Sequence, residues 1–165
     1  MNKVIGIMAA TNSGVMGKGG KIPWHYPGEL KHFQDCTHGQ VIIMGRRTFE
    51  EMSSLSLLDN RQAIVFTRDR DFADANIHKN VKFVYSFEEF QTIKLPQNLE
   101  IYMIGGAMIA ELFLRHNMIQ EFLLTKIRKE YNGDTYFSLD LLKNWSCHKI
   151  SESENYTIFK YNKNK

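Results

Sequence analysis

Short runs that are apolar at every position, spread along the whole length, set the pattern of this chain. Val4-Ile5-Gly6-Ile7-Met8-Ala9-Ala10 is the first, followed by Val41-Ile42-Ile43-Met44, Ala63-Ile64-Val65-Phe66, Ile101-Tyr102-Met103-Ile104 and Phe122-Leu123-Leu124. Strands with one wet face alternate apolar and polar residues, whereas continuous runs belong to strands covered on both faces. Residues 82–85 form a shorter candidate. Between the runs, helical segments are predicted from 30 to about 36, 48 to about 52, 87 to 90 and 107 to about 115. Ser86 and Glu89 have the spacing of a capping box at the third of these. Near the end the rhythm changes. Residues 145–151 and 156–161 flank Glu152-Ser153-Glu154-Asn155 with no helix between them, which predicts an antiparallel hairpin at the sheet edge.

Buried strands alternating with short helices give an α/β fold with a mainly parallel central sheet. The 165 residues, 43% hydrophobic and 24% charged, suffice for a real core, and with no repeat or linker they read as one domain over 1–165. No run has the length of a membrane span, and Met1-Asn2-Lys3 leads straight into strand-like sequence, so a cytoplasmic protein is expected. Cys36 and Cys147 read as reduced thiols. A net charge of +3, partly in the basic C-terminal residues, lacks any aromatic-interleaved basic stripe, so no nucleic-acid partner is expected.

Candidate chemistry gathers at glycine-containing turns, which in open α/β sheets lie beyond the carboxyl ends of strands, where ligands bind. Asn12-Ser13-Gly14-Val15-Met16-Gly17-Lys18-Gly19-Gly20-Lys21 lacks the hydroxyl residue of a phosphate loop and reads instead as a mobile flap. Gly45-Arg46-Arg47-Thr48 sets two guanidinium groups and a hydroxyl at a helix start, where free amides attract anions. Thr67-Arg68 ends the next strand, in position to hold a ribose 2′-phosphate and so to select NADPH over NADH. Gly105-Gly106 would let a pyrophosphate approach the backbone. These features favour a dinucleotide, although the Gly-x-Gly-x-x-Gly fingerprint is missing. The six histidines make no metal-binding pattern, and no Gly-x-Ser-x-Gly elbow occurs.

The sharpest feature is an acid in apolar company: Ile22-Pro23-Trp24-His25-Tyr26-Pro27-Gly28-Glu29-Leu30-Lys31-His32-Phe33. Pro27 is preset for a first helical turn, so Glu29 lies within that turn and shares a face with Phe33 and Cys36. A carboxyl held against aromatic rings suits a flat nitrogen heterocycle, and its pKa is expected above the usual carboxylate value because burial penalises charge. One buried acid beside a nicotinamide site implies reduction of a ring by hydride.

At these residues the chain resembles the dihydrofolate reductase family. The likeness is carried by Ile22-Pro23-Trp24 with Pro27, Glu29, Leu30 and Phe33, then by Gly45-Arg46-x-Thr48, Arg61, Ile104-Gly105-Gly106, Leu124-Thr125 and Gly133-Asp134-Thr135-Tyr136-Phe137. The resemblance implies an eight-stranded sheet with four helices and NADPH-dependent reduction of 7,8-dihydrofolate to tetrahydrofolate for one-carbon metabolism. It implies that Glu29 pairs with the pterin and promotes N5 protonation, with Trp24 and Thr125 assisting through hydrogen bonds. Met8, Ala9, Ala10, Ile22, Leu30, Phe33, Met52, Leu58, Arg61 and Ile104 would complete the substrate site, Arg61 taking the substrate's α-carboxylate. Ala10, Met16, Gly17, Gly45, Arg46, Arg47, Thr48, Thr67, Arg68, Ile104, Gly105, Gly106 and Ala107 would hold the cofactor, and Asp134 would touch the flap. Antifolate inhibitors would compete for the pocket, and a monomer is the family expectation. Ala110 stands where many members carry an aromatic, Met108 lacks a positive charge some have, and two extra residues lie between Met52 and Arg61. The alternatives are the fold-related NADPH-dependent pyrimidine reductase of riboflavin synthesis and a non-enzymatic pterin- or nucleotide-binding protein.

Overall fold

A computed structural model describes residues 3–54 and 58–165. Leu55, Ser56 and Leu57, part of the stretch holding the two extra residues, lie outside the described residues. The order of elements is β1 (Val4–Thr11), β2 (Val15–Gly17), α1 (Pro27–Thr37), β3 (Val41–Gly45), α2 (Arg46–Ser54), β4 (Gln62–Phe66), α3 (Arg70–Ala75) and β5 (Val81–Val84). There follow α4 (Phe87–Gln91), β6 (Ile101–Gly105), α5 (Ala107–Arg115), β7 (Ile119–Ile127), β8 (Thr135–Tyr136), a 3-10 turn (Leu139–Leu142), β9 (Ser146–Glu152) and β10 (Tyr156–Asn162).

Eight strands form one sheet in the order β5-β4-β3-β6-β1-β7-β10-β9, and β2 pairs with β8 in a separate ribbon. From β5 to β7 every pairing is parallel. Only β10 runs against the rest, antiparallel to both β7 and β9. The predicted terminal hairpin is therefore present, and it closes the sheet on the β7 side.

Residues alternate between the two faces of each central strand. Ile5, Ile7, Ile42, Met44, Tyr102 and Ile104 point to one face, where Phe33 of α1, Phe49 and Met52 of α2, and Phe72 of α3 cover them. Val4, Met8, Val41, Ile43, Ile101 and Met103 point to the other, beneath Phe87 and Phe90 of α4 and Ala110 and Phe113 of α5. Both faces are dry, which is why the runs show no alternation in sequence.

The described residues contain five α-helices where the resemblance implied four. The additional short one, α3, begins at Asp69, whose side chain accepts from the Phe72 N–H at 2.9 Å. Ser86 caps α4 as its spacing predicts, accepting from Glu89 N–H, while the Glu89 carboxylate reaches back to Tyr85 N–H. Ala110 is fully buried among the aromatic rings over β6, whereas Met108 is 84% exposed.

Candidate active site

Tyr26 precedes α1, and its carbonyl accepts from the N–H groups of both Glu29 and Leu30. Pro27 occupies the first helical position, which needs no donor, so Glu29 falls in the first turn. Phe33 and Cys36, on the same helical stripe, pack into the cluster over Ile5, Ile7 and Ile104, so that stripe faces the sheet. Burial pushes the Glu29 carboxyl up to about 7, and the Trp24 indole acts in the opposite sense. Trp24 is itself buried, and its Nε1 lies short of a formed hydrogen bond, a dry donor next to the acid.

Trp24 is held from behind. Its ring sits 5.8 Å from that of Tyr131, and Tyr131 exchanges a hydroxyl–hydroxyl hydrogen bond of 2.6 Å with Tyr26. The entry to α1 is thus tied to the connection between β7 and β8, a link that single-residue motifs do not reveal.

Thr125, buried in β7, stands opposite Ala9 of β1, and the alternation along both strands turns the two side chains to the α1 face. Among the described residues, Trp24 is the hydrogen-bonding group that acts on the Glu29 carboxyl. Met52, Leu58 and Ile104 belong to the same cluster, Leu30 is half-buried on α1, and Ile22 is 47% exposed beside the cleft. Arg61 is buried behind α1. Its guanidinium donates to Thr37 Oγ1 at 3.0 Å, Asp59 O at 3.1 Å and Gln34 O at 3.2 Å, and desolvation lowers its pKa.

The flap lies across the opening. At its tip Lys18 and Lys21 exchange both backbone hydrogen bonds around Gly19 and Gly20, both at positive φ, a two-residue turn that glycine permits. Gly19 N–H donates to Asp134 at 2.9 Å, and Asp134 N–H donates to Gly17 O, the flap contact that the family resemblance implied. Farther along, Ile22 N–H donates to Glu51 of α2 at 3.2 Å. A cavity of about 510 Å³ opens beneath the tip, lined by the flap, by Arg47, Glu50 and Glu51, and by Asp134. Glu29 is not in its lining, so the cavity marks the space under the flap rather than the acid.

On the adjoining side, β3 and β6 are neighbours, with Met44 opposite Gly105. Their helices α2 and α5 therefore start side by side at the carboxyl edge of the sheet. Gly106 is the N-cap of α5 and offers no side-chain cap, so the first amides of that helix remain available. Gly105 has φ +111° and is joined to Gly106 by a cis peptide bond. A Cβ at Gly105 would come to 3.5 Å from Met8 Cε and 3.9 Å from Met16 Cε, and one at Gly106 to 3.7 Å from Thr48 Oγ1. This side-chain-free cradle meets Met8 and Met16 on one side and Thr48 on the other. The helix starts at this edge, with Arg46 and Arg47 in the first turn of α2, are chemistry that suits phosphate groups. Thr67 is buried at the end of β4, and Arg68 is exposed beyond it. Arg46 is already engaged: it donates to Glu50 and to Asp69, each at 3.0 Å, and lies 4.0 Å over the Phe72 ring. Sequence reasoning did not single out Asp69, whose bond to Arg46 spans 23 residues and leaves no local signal.

A secluded acid on one face of the sheet and an anion cradle at its carboxyl edge are what a pterin-reducing site requires, and known proteins bear out the likeness. The structure resembles "Dihydrofolate reductase from Enterococcus faecalis complexed with NADP(H) and RAB-propyl" with a TM-score of 0.77 at 28% identity, covering 99% of this chain and 97% of that one. Over 134 residues the sequence is 36% identical to a dihydrofolate reductase of Lactococcus lactis, covering 81% of this chain and 77% of that protein. Against the type 8 dihydrofolate reductase of Escherichia coli it is 34% identical, covering 95% and 94%. The family model described as dihydrofolate reductase matches residues 3–164, and with that match the chain belongs to the dihydrofolate reductase family.

Proposed function

We propose that Glu29 is the proton-handling group of this enzyme. The chain is an NADPH-dependent reductase of dihydrofolate, as its family membership gives. The observation that carries the proposal is the position of the carboxyl: first turn of α1, facing the sheet, with a pKa of about 7 set by burial. NADPH, when bound, would supply the hydride. At neutral pH Glu29 is present in both protonation states, so it accepts hydrogen bonds from the pterin's 2-amino group and N3 as the anion and favours protonation at N5. Trp24, with its buried N–H, holds the charged form in place and orients the acid, and the Thr125 hydroxyl supports the same edge of the ring. Met8, Ala9, Ala10, Ile22, Leu30, Phe33, Met52, Leu58 and Ile104 wall the ring system, and Arg61 takes the α-carboxylate. The fixed guanidinium of Arg61, braced by the Gln34 carbonyl and Thr37 hydroxyl of α1, supports that last role.

Ile104, Gly105, Gly106 and Ala107 would hold the cofactor's centre, with Ala10, Met16 and Gly17 at the nicotinamide end. Gly45, Arg46, Arg47, Thr48, Thr67 and Arg68 would hold the phosphates. We further propose that the chain works as a single domain, as a monomer and in the cytoplasm, where basic-ring antifolates compete with substrate. The domain reading is supported by the extent of the family match, and among the described residues no helix is long and apolar enough to cross a membrane. Mixing the protein with NADPH and dihydrofolate and following nicotinamide oxidation tests the reading: oxidation that needs dihydrofolate is expected. Binding without turnover, or turnover only with a ribosylated pyrimidine, would replace it.

A further inference from the structure

The cations placed at the phosphate end of the cradle are not all equally available, and the difference bears on which cofactor is preferred. Arg46 is fixed in three ways, by Glu50, by Asp69 and by the Phe72 ring. Asp69 is just as firmly fixed. Its Oδ1 accepts the Phe72 N–H at 2.9 Å, its Oδ2 accepts from Arg46 at 3.0 Å, and its own N–H donates to Thr67 Oγ1 at 3.1 Å. The Phe72 N–H, followed by Arg46, holds this carboxyl below the usual carboxylate range, so it is an anion at any working pH. It cannot swing away without uncapping α3 and releasing Arg46.

An anion so placed acts oppositely on the two nicotinamide cofactors. A 2′-phosphate approaching Arg46, Thr67 and Arg68 meets a carboxylate already bonded to Arg46 and a Thr67 hydroxyl that already accepts from the Asp69 backbone N–H, and like charges at close range disfavour binding. A 2′-hydroxyl instead finds an acceptor of the kind that selects NADH in dinucleotide sites. We propose that Asp69 is a specificity residue: its carboxylate competes with the 2′-phosphate for Arg46 and narrows the preference of this chain for NADPH over NADH. The inference rests on the cofactor placement proposed above.

The test compares NADPH and NADH affinities, read by quenching of tryptophan fluorescence, in the parent, Asp69→Asn, Asp69→Ser, Arg46→Gln and Arg68→Gln proteins. Asn and Ser both keep an N-cap oxygen for α3 while removing the charge. Both Asp69 variants should raise the NADPH-over-NADH preference about fivefold, the scale of one partly solvated charge contact, mostly through tighter NADPH binding. The gain should shrink as salt is added. An unchanged or lower preference in both Asp69 variants, with Arg46→Gln or Arg68→Gln still reducing it, would overturn the role of Asp69 and leave the cofactor placement standing. If both arginine variants also leave the preference unchanged, the placement itself is wrong and the inference falls with it.

Discussion

At Glu29 two influences of opposite sign meet, and their balance sets the working range of the site. Burial favours the neutral acid, while the Trp24 N–H favours the anion, and burial wins. The kcat/KM for dihydrofolate should therefore fall as pH rises through about 7, where the protonated fraction is lost. Replacing Glu29→Gln should lower kcat/KM by roughly 10²–10⁴ at neutral pH and abolish that limb, with NADPH affinity little changed. Trp24→Phe removes the indole donor that favours the anion, so the same limb should move to higher pH; steady-state profiles of both variants check the two outcomes. Glu29 and its raised pKa were legible in sequence because Pro27 fixes the helix start and Phe33 the buried face. The partners of Arg46 were not, because Asp69 and Phe72 reach it only through the packing of α3 on α2.

Elements carry the site by where they end. Adjacent parallel strands β3 and β6 deliver α2 and α5 to one edge, and this was readable from Gly45-Arg46 and Gly105-Gly106 once a parallel sheet was inferred. Among the elements that escaped notice, β2 and β8 have three and two residues, too few for any periodicity to show. They matter because they root the flap on the segment holding Asp134 and Tyr131. The bond between Tyr26 and Tyr131 couples that segment to the entry of α1. If the coupling is this bond, Tyr26→Phe and Tyr131→Phe should each lower the denaturation midpoint, and the double variant should lower it no further than the worse single one. Additive losses in urea titrations would show that the hydroxyls act separately.

For the whole molecule, the two dry faces of the sheet supply the stability that a secluded acid diminishes. Glu29 titrates near 7 when folded and near 4.5 when unfolded, so between those values the folded state holds the extra proton. Its favourable contribution is full below about pH 4.5, fades as pH climbs and is gone above about 7, a loss of roughly 3 kcal/mol at 1.36 kcal/mol per unit. Glu29→Gln should thus make the ligand-free protein more stable than its parent above neutrality and no different near pH 4, as isothermal denaturation across pH will show. The variant that loses catalysis gains stability, as is common where a functional group sits in an unfavourable place.

The seclusion of Glu29 also makes recognition a proton-counting event. Near neutrality roughly half of the molecules carry the acid uncharged, so a heterocycle that arrives as a cation must expel a hydrogen ion from those molecules to form its ion pair. Calorimetric titrations in two buffers of different ionisation heat should reveal a release of about half a proton per site near pH 7, fading in alkaline solution where the carboxylate is already formed. Affinity for basic-ring inhibitors would consequently climb with alkalinity until the ring itself loses its charge.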